Sequence, residues 1–482
     1  MKTTSHSRPL WRHKPLALSL LPLLLLGACA VSAPPMPAEP PPPTAFKGDT
    51  LWKRLAPTDV AVPEAWWTLF RDPVLDDLQQ QLLVGNQNLA AELAQVQSAR
   101  AVLRASSSAI WPSLSVSGGS TRSASPSSNG AERSSAATSD SLTANASWEI
   151  DLWGRLSNGI KVAGASYRAS EADLAALRLS AQATLTQSYL ALCAADAQLA
   201  LLRRTVAADQ RTLDLTQARF DSGVVAQADV LQARTQLRSV QAQLSETQVQ
   251  RAQLEHSIAV QLGKLPSAFS LAPKAVLPEL PPVPELVPSL LLAQRPDIAA
   301  ARARQVSAYA QIGVADAAFF PSLNLSASAG YRANGWSDLV SAPNLLWSLG
   351  ASLTAPIFDG GQRRLASDQA RASAEAATAN YRQAVLTAFQ EVEDNLVALS
   401  QYGAELALQH DGLEAAQRNL ELVLAQYQAG TVSYLNVSSA QTSALSAEAN
   451  VLTLRNRQLA AANLLLKSLG GRWAAPDTVA SR

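Results

Sequence analysis

From about Gly361 to Ala429 the chain carries apolar residues on a 4-3 spacing: Val385, Phe389, Val392, Leu396, Leu399, Leu406, Leu413, Leu420, Leu424 and Tyr427. A seven-residue repeat keeps one helix face turned to a partner and implies a left-handed coiled-coil seam. The first half repeats one rung of this ladder at Leu185, Leu192, Leu199, Val206, Leu213 and Phe220. At 1.5 Å per residue, helices of this kind are on the order of 100 Å long. Such a length spans a compartment and does not build a compact core. Gly403, His410 and Gln417 fall on the seam, so His410 is expected at an interhelical contact rather than at a metal.

The chain is also written twice. WPSL at Trp111–Leu114 returns as FPSL at Phe320–Leu323, DLWGR at Asp151–Arg155 loosely as IFDGGQR at Ile357–Arg363, and Gly223 of FDSG as Gly430 of YQAG. The offset is 205 to 209 residues each time, and Leu262-Gly263 with Leu469-Gly470 keeps it. A fixed period of this kind marks duplicated structural units. A Pro-rich segment at 265–288 divides the halves; it has few backbone donors and an extended bias, so it reads as a linker or surface belt. Each half has the order helix, strand, loop, strand, very long helix, break, helix.

The strands are read from a period of two. Leu323, Leu325, Ala327, Ala329 and Tyr331 alternate with Asn324, Ser326, Ser328, Gly330 and Arg332. Ser141 to Leu152 and Leu345 to Ile357 do the same, with Trp148 and Leu349 on the apolar sides. The strand after Trp111 reads as shorter and weaker, with only Leu114 and Val116 on its apolar side. Each run is about the ten residues that a tilted membrane strand needs, and its polar face is small and hydrated. Trp111, Trp148, Trp153, Phe319, Phe320, Tyr331 and Phe358 cluster near the ends, as an interfacial girdle requires. Four strands cannot close a barrel, and an open edge is forbidden in lipid, so the chain must oligomerise. Three copies would give twelve strands and four would give sixteen; the strands alone do not choose.

The leader fits a membrane destination. MKTTSHSRPLWRHK holds four bases and no acid, and LALSLLPLLLL follows; this is a secretory signal whose apolar run is too short to span a bilayer. It ends in Leu26-Gly27-Ala28-Cys29, which resembles the lipobox of bacterial lipoproteins. Cleavage before Cys29 would leave 454 residues, a net charge of −3, and a thiol carrying diacylglycerol. Ala30 is not the Asp that in many Gram-negative bacteria retains lipoproteins in the inner membrane, so outer-membrane sorting is favoured. A near-neutral chain without a basic stripe argues against nucleic acid. Cys193 would be left alone, so no intrachain disulfide can form, and His256 and His410 have no neighbouring ligands, so no metal is expected.

With the lipobox and the repeated strand starts, RPDI at Arg295–Ile298, AQIGVADAAFFPSL at Ala310–Leu323, FDGGQRR at Phe358–Arg364 and QYQAGTVSYLNV at Gln426–Val437 resemble the TolC-like outer-membrane efflux proteins. The lipoprotein branch, which serves resistance-nodulation-division pumps, is the nearest likeness, over nearly the whole mature chain. The resemblance implies a mixed α/β membrane protein: a homotrimer with a twelve-stranded outer-membrane β-barrel above a coiled-coil periplasmic tunnel. It implies a division into a signal peptide (1–28), a lipidated segment and equatorial belt (29–72), a first repeat (73–264), a linker and belt (265–295), a second repeat (296–470) and a tail (471–482). It implies as partners a periplasmic adaptor, an inner-membrane pump and outer-membrane lipid, with no cofactor beyond the diacylglycerol and N-palmitoyl groups on Cys29.

The family match also supplies the site. Gly223 and Gly430 fall at the periplasmic tip turns, and Leu435, Asn436 and Ser439 at the constriction of the tunnel. Many members carry carboxylates at one or both of the last two positions; Asn436 and Ser439 here put a cation-sensitive ring in doubt. Asp229 and Tyr427 match a pair that locks the tip, and Val432 stands where some members have an Arg. Asp229 could alternatively cap the helix that opens VLQAR. No catalytic constellation stands out: Gly360-Gly361 and Gly470-Gly471 lack a P-loop Lys, and Glu149 with Asp151 reads as hydration of a channel wall. The expected function is a passive efflux duct; a duct for type I protein secretion and a coiled-coil tether between membranes are the alternatives.

Overall fold

The computed structural model describes residues 31, 33–38, 63–124, 136–282 and 294–469. Cys29 and the leader lie outside these residues. The chain divides into two units, one drawn from 1–38, 98–167 and 303–378, the other from 39–97, 168–302 and 379–482. The elements in order are α1 (Pro73–Gly85), α2 (Gln87–Ser108), β1 (Ser113–Ser123), β2 (Ala137–Ile150), α3 (Arg155–Asp221), α4 (Gln227–Gln261), α5 (Pro296–Ala317), β3 (Ser322–Ala333), β4 (Leu345–Thr354), α6 (Gln362–Gln428) and α7 (Tyr434–Ser468). From α2 and α5 onward the same succession of helix, two strands, long helix and helix runs twice. Helices α3 and α6 have 67 residues each, about 100 Å at the α-helical rise. No described helix is long and apolar enough to cross a membrane.

The first unit is built on one antiparallel sheet in the order β1-β2-β3-β4. Its register joins the two repeats: Leu142 faces Tyr331, Trp148 faces Leu325 and Ile150 faces Leu323. With Leu114 opposite Ala146 and Ala327 opposite Leu349, the apolar residues of all four strands share one side. The other side is hydroxyl-rich, and Ser113–Ser147 and Ser328–Ser348 bond across it at 3.2 and 2.8 Å. The apolar side is not a buried core: Leu114, Trp347 and Leu349 are each about three-quarters exposed (76, 76 and 78%). Strand β1 is longer than expected, at 11 residues, because SGGSTRS pairs with β2 as far as Ser123–Ala137 without needing an apolar alternation of its own.

Below the strand ends, Trp153 stacks on Phe320 at 4.9 Å and its indole N–H donates to the Pro321 carbonyl at 2.6 Å. Val31 is stitched to the same region: its N–H donates to the Trp153 carbonyl at 3.1 Å, and Asn158 donates to its carbonyl at 3.0 Å. Asp151 accepts from the backbone N–H of Leu156 and Ser157 at the start of α3, and Glu149 holds Arg155 at 2.7 Å. These two carboxylates thus form a helix cap and an ion pair.

The second unit has a core of Trp66, Phe70, Leu75, Leu78 and Leu82 against Leu185, Leu190, Leu192, Ile258 and Leu262. Asp72 caps α1 and also accepts from the Tyr189 hydroxyl at 2.8 Å and Lys274 Nζ at 2.6 Å. Asp196 takes Arg251 at 2.7 Å and the Lys274 N–H at 2.9 Å, so the stretch after Gly263 is tied to α3 and α4. Arg295 of RPDI is buried, holding Asp297 at 2.7 Å and Glu391 at 2.8 Å. On the expected seam Leu185, Leu192, Leu199, Val392, Leu396 and Leu399 are buried. In the single chain His410 and Gln417 are exposed, while Leu406 and Leu413 are half-buried.

Two outcomes follow from this packing. Leu349→Lys places a charge on the exposed apolar side and, with that side in lipid, should cost about 2–4 kcal/mol near the bilayer midplane. Ser352→Lys, on the opposite side, should be tolerated; the yield of heat-resistant oligomer on a gel reads the difference. Burial pushes the Cys193 thiol up to about 11, and thiolate is the reactive form. In a Cys29→Ser background, native protein at pH 7.5 should therefore take up no maleimide over hours, while denatured protein labels within minutes.

Candidate functional site

The site is built where the two long helices end. Both α3 and α6 stop in a left-handed glycine, Gly223 at φ +76° and Gly430 at φ +78°. Each end closes the same way. Gly223 N–H bonds to Phe220 O at 2.8 Å and Val224 N–H to Arg219 O at 2.9 Å; Gly430 N–H bonds to Tyr427 O and Thr431 N–H to Gln426 O, both at 3.0 Å. A Cβ is strained at such a backbone angle, and this pair of bonds satisfies the carbonyls that a helix end leaves free.

Inside these turns, Tyr427, Tyr434, Val437 and Ala233 form a small buried cluster, with Val432 packed against it. The two Tyr rings meet edge to face at 5.9 Å. Tyr434 opens α7, and Val437, Ala440 and Ala444 continue its buried side. Leu435, Asn436 and Ser439 occupy the opposite, exposed side, with Leu435 60% exposed. The three residues expected at a constriction thus share one face of the first turns of α7 and are free of contacts that would bury them in the single chain.

The structure does not join Asp229 to Tyr427. The Tyr427 hydroxyl bonds Thr216 Oγ1 of α3 at 3.1 Å. Because Thr216 gives its own proton to the Thr212 carbonyl at 2.8 Å, Tyr427 is the donor. Asp229 lies half-exposed in the first turn of α4; no side-chain cap bond forms there, and its charge adds to the burial that raises the Tyr434 hydroxyl. The physical reason is burial: Tyr427 is 2% exposed, and a neutral hydroxyl satisfies it without bringing a carboxylate out of water.

Sequence reading missed Arg219. Its guanidinium lies 4.9 Å from the centre of the Tyr427 ring and donates to the Tyr427 carbonyl. The last turn of the first repeat is thereby clasped to the last turn of the second. The signal available in sequence was a basic residue in the final turn of α3, where it also suits the helix dipole. Among the described residues no group of side chains is placed to hold a metal ion.

A sheet with one exposed apolar side, open edges and helices of 67 residues defines a chain that lends strands to a membrane barrel and helices to a duct. The family model for outer membrane efflux proteins matches residues 78–264 and 287–471, and the chain belongs to that family. It is 32% identical to the pyoverdine export outer membrane protein OpmQ of Pseudomonas aeruginosa, over 93% of this chain and 95% of that one. It is 30% identical to the toluene efflux pump outer membrane protein TtgC of Pseudomonas putida, over 93% and 94%. The outer-membrane channel OprN superposes with a TM-score of 0.86 at 28% identity, covering 93% of this chain and all of that one. The open-state MtrE outer-membrane channel of Neisseria gonorrhoeae does so at 0.77 and 25%, covering 91% and 98%. The chain is accordingly an outer-membrane efflux channel component that reaches into the periplasm.

Arg219→Ala removes a cation–π contact and a charged hydrogen bond, together about 2 kcal/mol. Hydrogen exchange of the amides in 425–431 should rise about thirtyfold. Arg219→Lys keeps a donor without the planar stack and should fall between.

Proposed function

We propose that three copies of the chain form a passive exit duct for drugs and other small molecules. An inner-membrane pump of the resistance-nodulation-division class feeds it through a periplasmic adaptor. The observation that carries this reading is the four-stranded sheet whose apolar side is exposed and whose β1 and β4 edges are open within one chain. In lipid each edge must be paired, and only closure with other copies pairs both. Twelve strands from a trimer give a barrel, and the α3–α4 and α6–α7 pairs of three chains give a tunnel wall. The duct itself supplies no energy; solute moves because the pump drives it. The relatives are named for exporting pyoverdine and toluene, and weak solute selectivity in a wide passive duct accommodates cargoes so unlike each other.

Leu435, Asn436 and Ser439 narrow the closed tip in this reading, and the Arg219–Tyr427–Thr216 contacts hold it. With neutral Asn436 and Ser439, multivalent cations have no carboxylate ring to bind at that constriction. Cys29 carries diacylglycerol and an N-palmitoyl group, which hold the amino terminus at the outer membrane while the strands span it. Cys29→Ser should abolish palmitate labelling and leave barrel insertion intact.

Planar-bilayer recording tests the duct. Purified protein should open discrete pores that trivalent cations do not block, whereas Asn436→Asp with Ser439→Asp should introduce block from the tip side. A protein that never conducts is a tether and sinks the proposal. Deleting the gene should sensitise cells to small toxic solutes and leave protein secretion unchanged; the reverse pattern would assign the duct to type I secretion.

A further inference from the structure

One face of α3 is polar yet buried. Asp209, Thr212 and Thr216 stand three and four residues apart, at 3%, 9% and 0% exposure, and so line one side of the helix. The two threonines are satisfied: Thr216 by Tyr427, and Thr212 by donating to the Ala208 carbonyl at 3.1 Å while Gln441 Nε2 of α7 approaches at 3.5 Å. Gln441 Oε1 in turn faces the Tyr434 hydroxyl at 3.5 Å. Asp209 is the exception, for neither carboxylate oxygen has a hydrogen-bond partner. The nearby donors are already committed, Thr212 to its own helix and the Tyr434 hydroxyl towards Gln441.

The cations around it are committed as well. Arg204 on α3 is held by Glu448 of α7 at 2.6 Å, and Arg211 donates to the Ala207 carbonyl at 3.2 Å. From α6 the facing polar groups are Gln417 and Gln428, which are neutral, and Tyr427 is spent on Thr216. From α4, Asp229 adds only negative field at Tyr434. Arg204, Arg211, Gln417, Gln428 and Glu448 line a cavity of about 520 Å³ between α3, α6 and α7 together with Asp209 and Gln441. A buried carboxylate with no donor and no cation is far more stable neutral than ionised.

We propose that Asp209 is a proton-binding site that sets how tightly α3 packs on α7 beside the tip: neutral, it lets the helices close; ionised, it loosens them. Burial pushes its carboxyl from 3.8 up to about 6. Its contribution to stability is fully present below the unfolded value, falls as pH rises through the window between these values, and is lost above about 6. The loosened arrangement is thus the one at neutral pH, and the cavity gives water a way to the charge. A shift of about two pH units sets the ceiling of the effect, about a hundredfold in the local opening equilibrium. The inference concerns helix packing and stands whether or not the transport reading above holds.

The assembled protein tests it by hydrogen exchange, with intrinsic rates corrected for pH. Amides of 434–445 should be up to about tenfold better protected at pH 5.0 than at pH 7.5, an interval that covers about half of the titration window. Asp209→Asn, a permanent mimic of the neutral acid, should show the high protection at both pH values. Wild-type protection that is flat with pH, or a step that survives in Asp209→Asn, overturns the proposal. Loss of the step in His256→Gln or His410→Gln overturns it too, whereas its retention supports Asp209. Should Asp209→Asn fail to assemble, isotope-edited infrared spectra of aspartate-labelled protein decide. They are recorded in an Asp76→Asn background, because Asp76 is another aspartate whose pKa is raised. A protonated-acid C=O band with a midpoint near pH 6 supports the site. Absence of the band at pH 5 overturns it, as when a cation from a second copy pairs with Asp209.

Discussion

A polypeptide in hydrocarbon has nowhere to leave a backbone N–H, and the rest of this structure answers to that fact. Within one chain β1 and β4 each have one paired side and one open side, while the apolar residues of all four strands face outward together. Burying that apolar side on a helix layer would have satisfied it and produced an ordinary soluble domain. The sequence provides no such layer: α2 and α5 are strongly polar or alanine-rich, and the large apolar residues of the second unit are spent on Trp66, Phe70 and the leucines around them. Lipid offers an apolar medium for that side, and the closure with further copies proposed above would pair the edges.

How much of this could be read from residues alone depends on the distance over which each pattern acts. The strands were legible because a period of two is local, and the long helices because a period of seven is. The start of the second long helix, expected near Gly361, falls at Gln362, and its end, expected near Ala429, at Gln428. Strand β1 was only half legible, since SGGSTRS owes its extended state to β2 and not to its own alternation. Arg219, Thr216 and Asp209 were invisible for a different reason. Each acquires its role from Tyr427, Tyr434 or Gln441, more than 200 residues away, and no local spacing encodes such a meeting.

The duplication explains why the tip has both symmetry and a specific lock. Gly223 and Gly430 end their helices with the same bonds, so the turns are equivalent. The side chains that flank them are not. Tyr427 and Tyr434 in the second half stand where Phe220 and Gln227 stand in the first, and only the second half makes an aromatic pair. Arg219 then works across the repeats, its charge in one half and its aromatic partner in the other. Divergence between the copies created a contact that neither copy could make alone.

The pairing of β2 with β3 carries a consequence in time. Each hairpin, β1 with β2 and β3 with β4, closes over a short loop, so the two can form early and independently. Joining them is another matter, for Ile150 meets Leu323 only after α3, α4, the linker and α5 have been laid down between them. Closure over so long a stretch is slow, because the entropy of the intervening chain is lost before the contact returns anything. Until that seam forms, every newly made chain carries two separate ribbons with four bare edges instead of two. The passage from ribosome to membrane is therefore most hazardous for strand-to-strand aggregation midway, after each half has folded and before the halves have met.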